Sequence, residues 1–259
     1  MYSMSYSNRW IELLNQVKVF SARRPVVWFR GHGKHDTFKL NSGLFRDPLF
    51  ILQDYLDSEI QKYQEFLYLG HLDHKETDWN LVYLMQHFGV KTRLLDWTES
   101  FVTALFFAYI NWSPNEESAC IWMLDPTRLN YLTFERNMGL YLPFDTKYEA
   151  YLNGDLTFED NSIALFPVRN NKRIVAQQGV FTLQGNSLLP LDEEHDNLLI
   201  ENQELVKIML DEDLYEDVQS FLRQTGVNHY TLFPDLEGLA KYVNSSFLDS
   251  KNGLRIPKF

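Results

Sequence analysis

The chain has 259 residues, 45% hydrophobic and 23% charged, the proportions of a soluble folded protein rather than a disordered or fibrous one. Its 35 Asp and Glu outnumber 24 Lys and Arg, and the formal net charge of -11 argues against general electrostatic binding of DNA or RNA. A single cysteine, Cys120, excludes an internal disulfide and a Cys-rich zinc site, and no apolar run approaches the ~18 residues of a membrane span.

Taken in chain order, "SNRWIELLNQVKVFS" places Trp10, Leu13, Leu14, Val17 and Phe20 at helical spacing. The N-terminal "MYSMSYSNRW" lacks a basic stretch followed by an apolar core, so no secretory signal is read and a cytoplasmic location is expected. "PVVWFRG" reads as a buried strand. Residues 47–70 read as helical, with Ile60, Tyr63, Phe66 and Leu67 as a stripe. "WNLVYLMQHFG" is a further helix stopped by Gly89. "TRLLDW" is a short strand, and Phe101, Ala104, Leu105, Ala108 and Tyr109 then fall on one helical face across 98–110. "ACIWMLD" is a strand stopped by Pro126, and residues 127–162 are polar and irregular, an expected insertion. "RIVAQQGVFTLQG" alternates with period two at Val180, Thr182 and Gln184, "LVKIML" is a later strand, and two helices close the chain. Interleaved elements without a flexible linker predict one α+β domain over 1–259, a mixed or antiparallel β core flanked by helices.

Three stretches break their apolar patterns with polar groups. "LMQHFGVKTRLLDWTESFVTALFFA" gathers Gln86, His87, Lys91, Thr92, Arg93, Asp96 and Thr98 at helix and strand junctions, where outward backbone N–H groups can meet an anion. Asp96 with Glu99 also fits a capping box, worth ~1 kcal/mol, and Arg93 can simply pair with an acid. "WFRGHG" sets Arg30 beside Gly31 and His32; arginine makes a planar two-pronged contact with phosphate or carboxylate, or is buried against an acid. "NNKRIVAQQGVFT" holds Arg173, then Gln177, Gln178 and Gly179 inside the expected strand, either to bind a hydroxyl or carboxamide or as a bulge. His71 and His74 are three apart but have no third ligand, and read as a solvated loop; no metal site is expected. Cys120, inside an apolar strand, reads as core.

"WFRG", the long "QHFGVKTRLLDWT" block, "RIVAQQGVFT" and "GVNHYTLFPDLEGLA" together resemble the FRG domain family, over about residues 28–240. His32 stands where many members have glutamine. The resemblance implies a bacterial protein or one of a mobile element, in keeping with a role in bacterial or phage conflict.

The layout also resembles ADP-ribosyltransferase-like domains. That resemblance implies NAD as substrate, with no other cofactor. Arg30-Gly31 would be the first motif, holding a phosphate or ribose and letting a ring meet the backbone. The "TRLLDW" strand and its helix would be the second, with Trp97 stacking on a ring. Gln178, with Gly179, would sit in the third and hold a ribose hydroxyl. There Gln177 and Gln178 stand where a glutamate is expected, and an amide cannot carry the charge that stabilises an oxocarbenium-like transition state. Asp96 or Glu65 then supplies the carboxylate, or the domain binds a nucleotide or a protein without turnover. A hydrolase or nuclease built on Asp96, Arg93 and His87 is the remaining alternative.

Overall fold

In the computed structural model, residues 5–36, 39–136, 145–169 and 171–251 are described, the side chains of 246–251 excepted. The elements run α1 (Asn8–Ala22), β1 (Trp28–His32), α2 (Leu52–Leu69), α3 (Asp78–His87), β2 (Leu94–Thr98) and α4 (Phe101–Ile110). They continue with β3 (Ala119–Leu124), α5 (Pro126–Phe134), α6 (Tyr148–Leu152), β4 (Ile163–Leu165), α7 (Lys172–Gln177) and β5 (Gly179–Leu183). α8 (Leu198–Glu201), β6 (Leu205–Leu210), α9 (Tyr215–Thr225), α10 (His229–Leu232) and α11 (Leu236–Lys251) complete them. No described helix is long and apolar enough to cross a membrane.

The strands form one antiparallel sheet in the order β4-β5-β2-β1-β3-β6, so the α+β expectation holds. Its central strands read as almost unbroken apolar runs because both faces are covered; every residue of β3 is buried. On one face, Phe29, Ile121, Met123, Ile208 and Leu210 pack with α1, α4 and α9. Farther along that face, Leu94, Phe181 and Leu183 pack with α2, α3 and α6. The other face buries Trp28, Leu95, Trp97, Trp122 and Val180 with Leu129 and Leu199.

The outer strands are laced over several residues, but β1 and β2 share a single pair, Phe29 with Thr98. The strands part beyond it, and this seam lies between α4 on one side and α3 with α7 on the other. α4 lies very close to β1. A Cβ on Gly31 would stand 1.9 Å from the Ala104 carbonyl oxygen, so the helix backbone occupies the space a side chain would take.

Two expectations change. Asp96 does not cap α4: it lies inside β2, opposite Phe181 of β5. Ser100 caps the helix instead, its Oγ accepting the Thr103 N–H at 3.2 Å. The expected strand through "RIVAQQG" is instead a short helix, α7. Asn171 caps it, accepting the Ile174 N–H at 2.8 Å, and Gln178 ends it in the left-handed region at φ 48°. The paired glutamines are therefore a helix terminus, neither strand nor bulge.

Of the expected insertion, 137–144 lie outside the described residues. The flanking parts are built into the core. Asn130 of α5 braces β4, donating to the Ala164 carbonyl at 2.9 Å and accepting its N–H at 2.7 Å, and Tyr148 of α6 is buried.

Candidate functional site

A cleft of about 300 Å³ opens where β1 and β2 part. The first strand and the glycine after it supply Phe29 through Gly33, and α3 supplies Tyr83, Gln86 and His87. From β2 come Asp96 and Thr98, and from α4 Ala104 and Phe107. Residues about α7 and β5 close it: Arg173, Gln177, Gly179 and Phe181. Arg46, from a 3-10 turn at Leu44–Arg46, completes it.

Arg30 crosses the seam. One terminal nitrogen donates to the Asp96 carbonyl, and Nε donates to His32 Nε2 at 2.8 Å. A backbone carbonyl left without a ladder partner is thus met by a side chain. Because His32 Nε2 accepts, the His32 proton belongs on Nδ1, and that ring is buried. Burial lowers the Arg30 pKa to about 10, Asp96 opposes the shift and Arg46 adds to it. Arg30 stays cationic at neutral pH, and Arg46 lies close enough to disfavour its charge. Desolvation lowers Arg46 in the same direction.

Asp96 is exposed within a strand whose other residues are all buried. One carboxylate oxygen accepts from Gln86 Nε2 at 2.8 Å, and Gln86 Oε1 accepts from the Thr92 hydroxyl at 2.7 Å. His87 is pushed below the ordinary histidine value by burial and then by Arg173, so its ring is neutral at pH 7. Arg173 donates to the His87 carbonyl at 3.3 Å and lies over the Phe233 ring. Thr98 Oγ1 donates to the Gln177 carbonyl at 2.6 Å, tying β2 to the end of α7.

The structure thus brings Arg30, Gly31, His32, Gln86, His87, Asp96, Thr98, Arg173 and Gly179 to one cleft. Gln178 lies outside its lining: the left-handed turn exposes it, and its carbonyl accepts from the Glu99 N–H at 3.0 Å. Its neighbour Gln177 lines the cleft instead. Trp97 belongs to the wall, but its indole is buried on the opposite face with Nε1 donating to Thr182 Oγ1 at 3.1 Å, so no ring can stack on it. Thr92 acts from behind the wall.

Arg93 lies elsewhere and is wholly buried. Its Nε and one terminal nitrogen fork onto Glu59 at 2.8 and 2.6 Å, and the other terminal nitrogen donates to the Gln184 carbonyl. That arginine ties α2 to the end of β5 and is architectural. Glu65, on the exposed side of α2, accepts from Gln61 at 2.8 Å and is not in the cleft. Gly31 reaches the cleft through its backbone, but the missing side chain makes room for α4 rather than for a ligand. Cys120 is a buried thiol with its pKa lifted to about 12 by desolvation, which suits packing and not nucleophilic attack. Arg46 carried no signal in the sequence, because its place depends on a backbone bond between residues far apart, Leu44 N–H to the Thr92 carbonyl at 2.9 Å.

Residues 25–117 match the family model described as FRG domain. The chain carries an FRG domain. Its namesake Phe29, Arg30 and Gly31 fall on β1, and the matched span also holds Arg46, Gln86, His87 and Asp96. The FRG match stops before Arg173 and Gln177, so it is shorter than the resemblance over 28–240. No curated protein matches the chain, and no solved structure does.

Proposed function

We propose that the FRG-domain cleft binds a nucleotide by its phosphates and cleaves NAD in the manner of ADP-ribosyltransferase-like enzymes. One observation carries this reading: Arg30, Arg46 and Arg173 converge on a cleft with Asp96 as the only carboxylate among the described residues that line it, in a chain whose net charge is -11. A cationic concavity in an acidic protein selects an anion, and the arginine fork suits a diphosphate.

The layout adds support. Arg30 on β1, β2 leading into α4, and the start of β5 are the three motif positions, and all border the cleft. Gln177 takes the place of the third motif and holds a ribose hydroxyl, while Asp96 supplies the negative charge. In the reaction, the bond from ribose C1′ to the nicotinamide nitrogen breaks, and its electron pair leaves with nicotinamide. Asp96 stabilises the ribosyl cation. Water or an acceptor nucleophile attacks C1′ and gives up a proton, which neutral His87 accepts. The nuclease alternative loses a member, since Arg93 is sealed against Glu59.

The test is incubation with NAD, following free nicotinamide by chromatography and binding by thermal shift. The wild type releases nicotinamide, and Asp96→Asn binds but releases none. Arg30→Lys stays folded and loses roughly tenfold in affinity, or ~1.4 kcal/mol. Stabilisation by NAD without release would leave a binding module and overturn the cleavage. No response to NAD, ADP-ribose or ADP would overturn the nucleotide reading altogether.

A further inference from the structure

We infer that Thr92 and Gln86 are positioning residues that aim Asp96 and Arg46 into the cleft, along a hydrogen-bonded path that runs from the backbone to the carboxylate. The inference rests on the reading of Asp96 as the reacting carboxylate, but its core is geometric.

The chain of donors starts at a main-chain group. The Leu94 N–H donates to Thr92 Oγ1 at 3.1 Å. A hydroxyl has one proton to give, and that proton goes to Gln86 Oε1 at 2.7 Å. The Gln86 carbonyl faces Thr92, and its NH2 faces Asp96 Oδ2 at 2.8 Å. The far end decides the orientation. A flipped amide would set its oxygen against a carboxylate oxygen, two acceptors with no proton between them. The carboxylate end thus demands this orientation, and the Thr92 hydroxyl, which has a proton to donate, accommodates it.

Thr92 is also the fixed point for the arginine across the cleft. Its carbonyl accepts the Leu44 N–H at 2.9 Å, which seats the 3-10 turn that carries Arg46. Either side of Thr92 is anchored as well: Lys91 pairs with Asp47, and Arg93 with Glu59. The "KTR" segment therefore sets an anionic and a cationic cleft group from one buried point. That accounts for three consecutive polar residues leading into an apolar strand, a pattern that phosphate binding by Arg93 does not explain.

Thr92→Val keeps the shape and removes the hydroxyl. Thr92→Ser restores it. Gln86→Glu accepts from Thr92 but has no proton for an ionised Asp96. Two readouts are taken. The first is the side-chain amide ¹⁵N–¹H resonance of Gln86, identified by its loss in Gln86→Met. Its proton facing Asp96 should lie downfield in the wild type and move in Thr92→Val and in Asp96→Ala, but not in Thr92→Ser. The second is NAD turnover: Thr92→Val and Gln86→Glu should lose roughly tenfold or more in kcat with KM within about twofold, and Thr92→Ser should recover it.

Gln86 resonances indifferent to Thr92→Val and Asp96→Ala would overturn the inference whatever NAD does. So would full kcat in Gln86→Glu. Resonances that respond as expected in a protein that does not cleave NAD would uphold the positioning and remove the proposed reaction.

Discussion

Replacing Gly31 by alanine separates two reasons for a glycine beside Arg30. The added Cβ would lie 1.9 Å from the Ala104 carbonyl oxygen and 2.7 Å from the Ala108 nitrogen. Both are backbone atoms of α4 and cannot rotate away. Ordinary contact begins near 3.4 Å, so helix and strand must separate by about 1.5 Å. A gap of even 0.5–1 Å forfeits roughly a quarter to a half of the dispersion energy across it. The contact at risk is the well-packed one that buries Phe29, Ala104, Leu105 and Ala108. Overpacking of this kind costs about 1–3 kcal/mol, and a rigid backbone on both sides places Gly31→Ala at the upper end, ~3 kcal/mol. Against a typical ~5–15 kcal/mol of total stability, that is a large loss. Urea unfolding followed by circular dichroism measures it as a lower midpoint at unchanged slope, a shift of about 1–2 M. A Gly31→Ala protein within ~0.5 kcal/mol of wild type that had lost nucleotide binding would refute the packing argument and return the glycine to the ligand.

Ser100→Ala should cost ~1 kcal/mol in thermal melts, while Asp96→Asn stays within about 0.5 kcal/mol; the reverse order would restore Asp96 as the cap. Glu59→Gln leaves the Arg93 charge buried without its partner and should destabilise by ~3–5 kcal/mol in denaturant, whereas a loss under ~1 kcal/mol would mean the pair is replaceable. Glu194 is buried against Ser162, whose N–H and hydroxyl both donate to it, and desolvation lifts its pKa from 4.5 to about 7. The fold therefore favours the protonated acid, so this contribution is complete below pH 4.5 and fades as pH rises through about 7, by ~3 kcal/mol. Glu194→Gln keeps an acceptor for the Ser162 N–H and cannot ionise, so stability measured from pH 5 to 8 should lose this slope; an unchanged slope would place its origin elsewhere.

Much of the sheet was legible because its strands are short apolar runs bounded by turn residues, as in "ACIWML", and because α4 repeats its apolar positions over a full face. Asp96 was misread as a cap for a definite reason. Asp96 and Glu99 match a capping pattern locally, but the register that pairs Asp96 with Phe181 joins residues far apart in sequence. α7 escaped notice because six residues are too few to show a helical period, and its left-handed end at Gln178 swaps which glutamine meets the cleft. Arg30, Gln86, His87 and Asp96 were found as polar breaks in apolar stretches. Arg46 makes no such break, and the role of Arg93 follows from Glu59, 34 positions earlier, which no local pattern joins to it.

The single rung between β1 and β2 has a mechanical meaning. Five pairs lace β1 to β3 and five lace β2 to β5, so the sheet behaves as two stiff leaves meeting at a narrow waist. The Arg30 side chain is a strut across that waist, bolted to one leaf and resting on a carbonyl of the other. A guest gripped by Arg30 from one leaf and by Asp96 and Gln177 from the other would act as a second fastening. On the proposed reading, filling the cleft would then stiffen the whole sheet, and a molecule of modest size would be felt from β4 to β6.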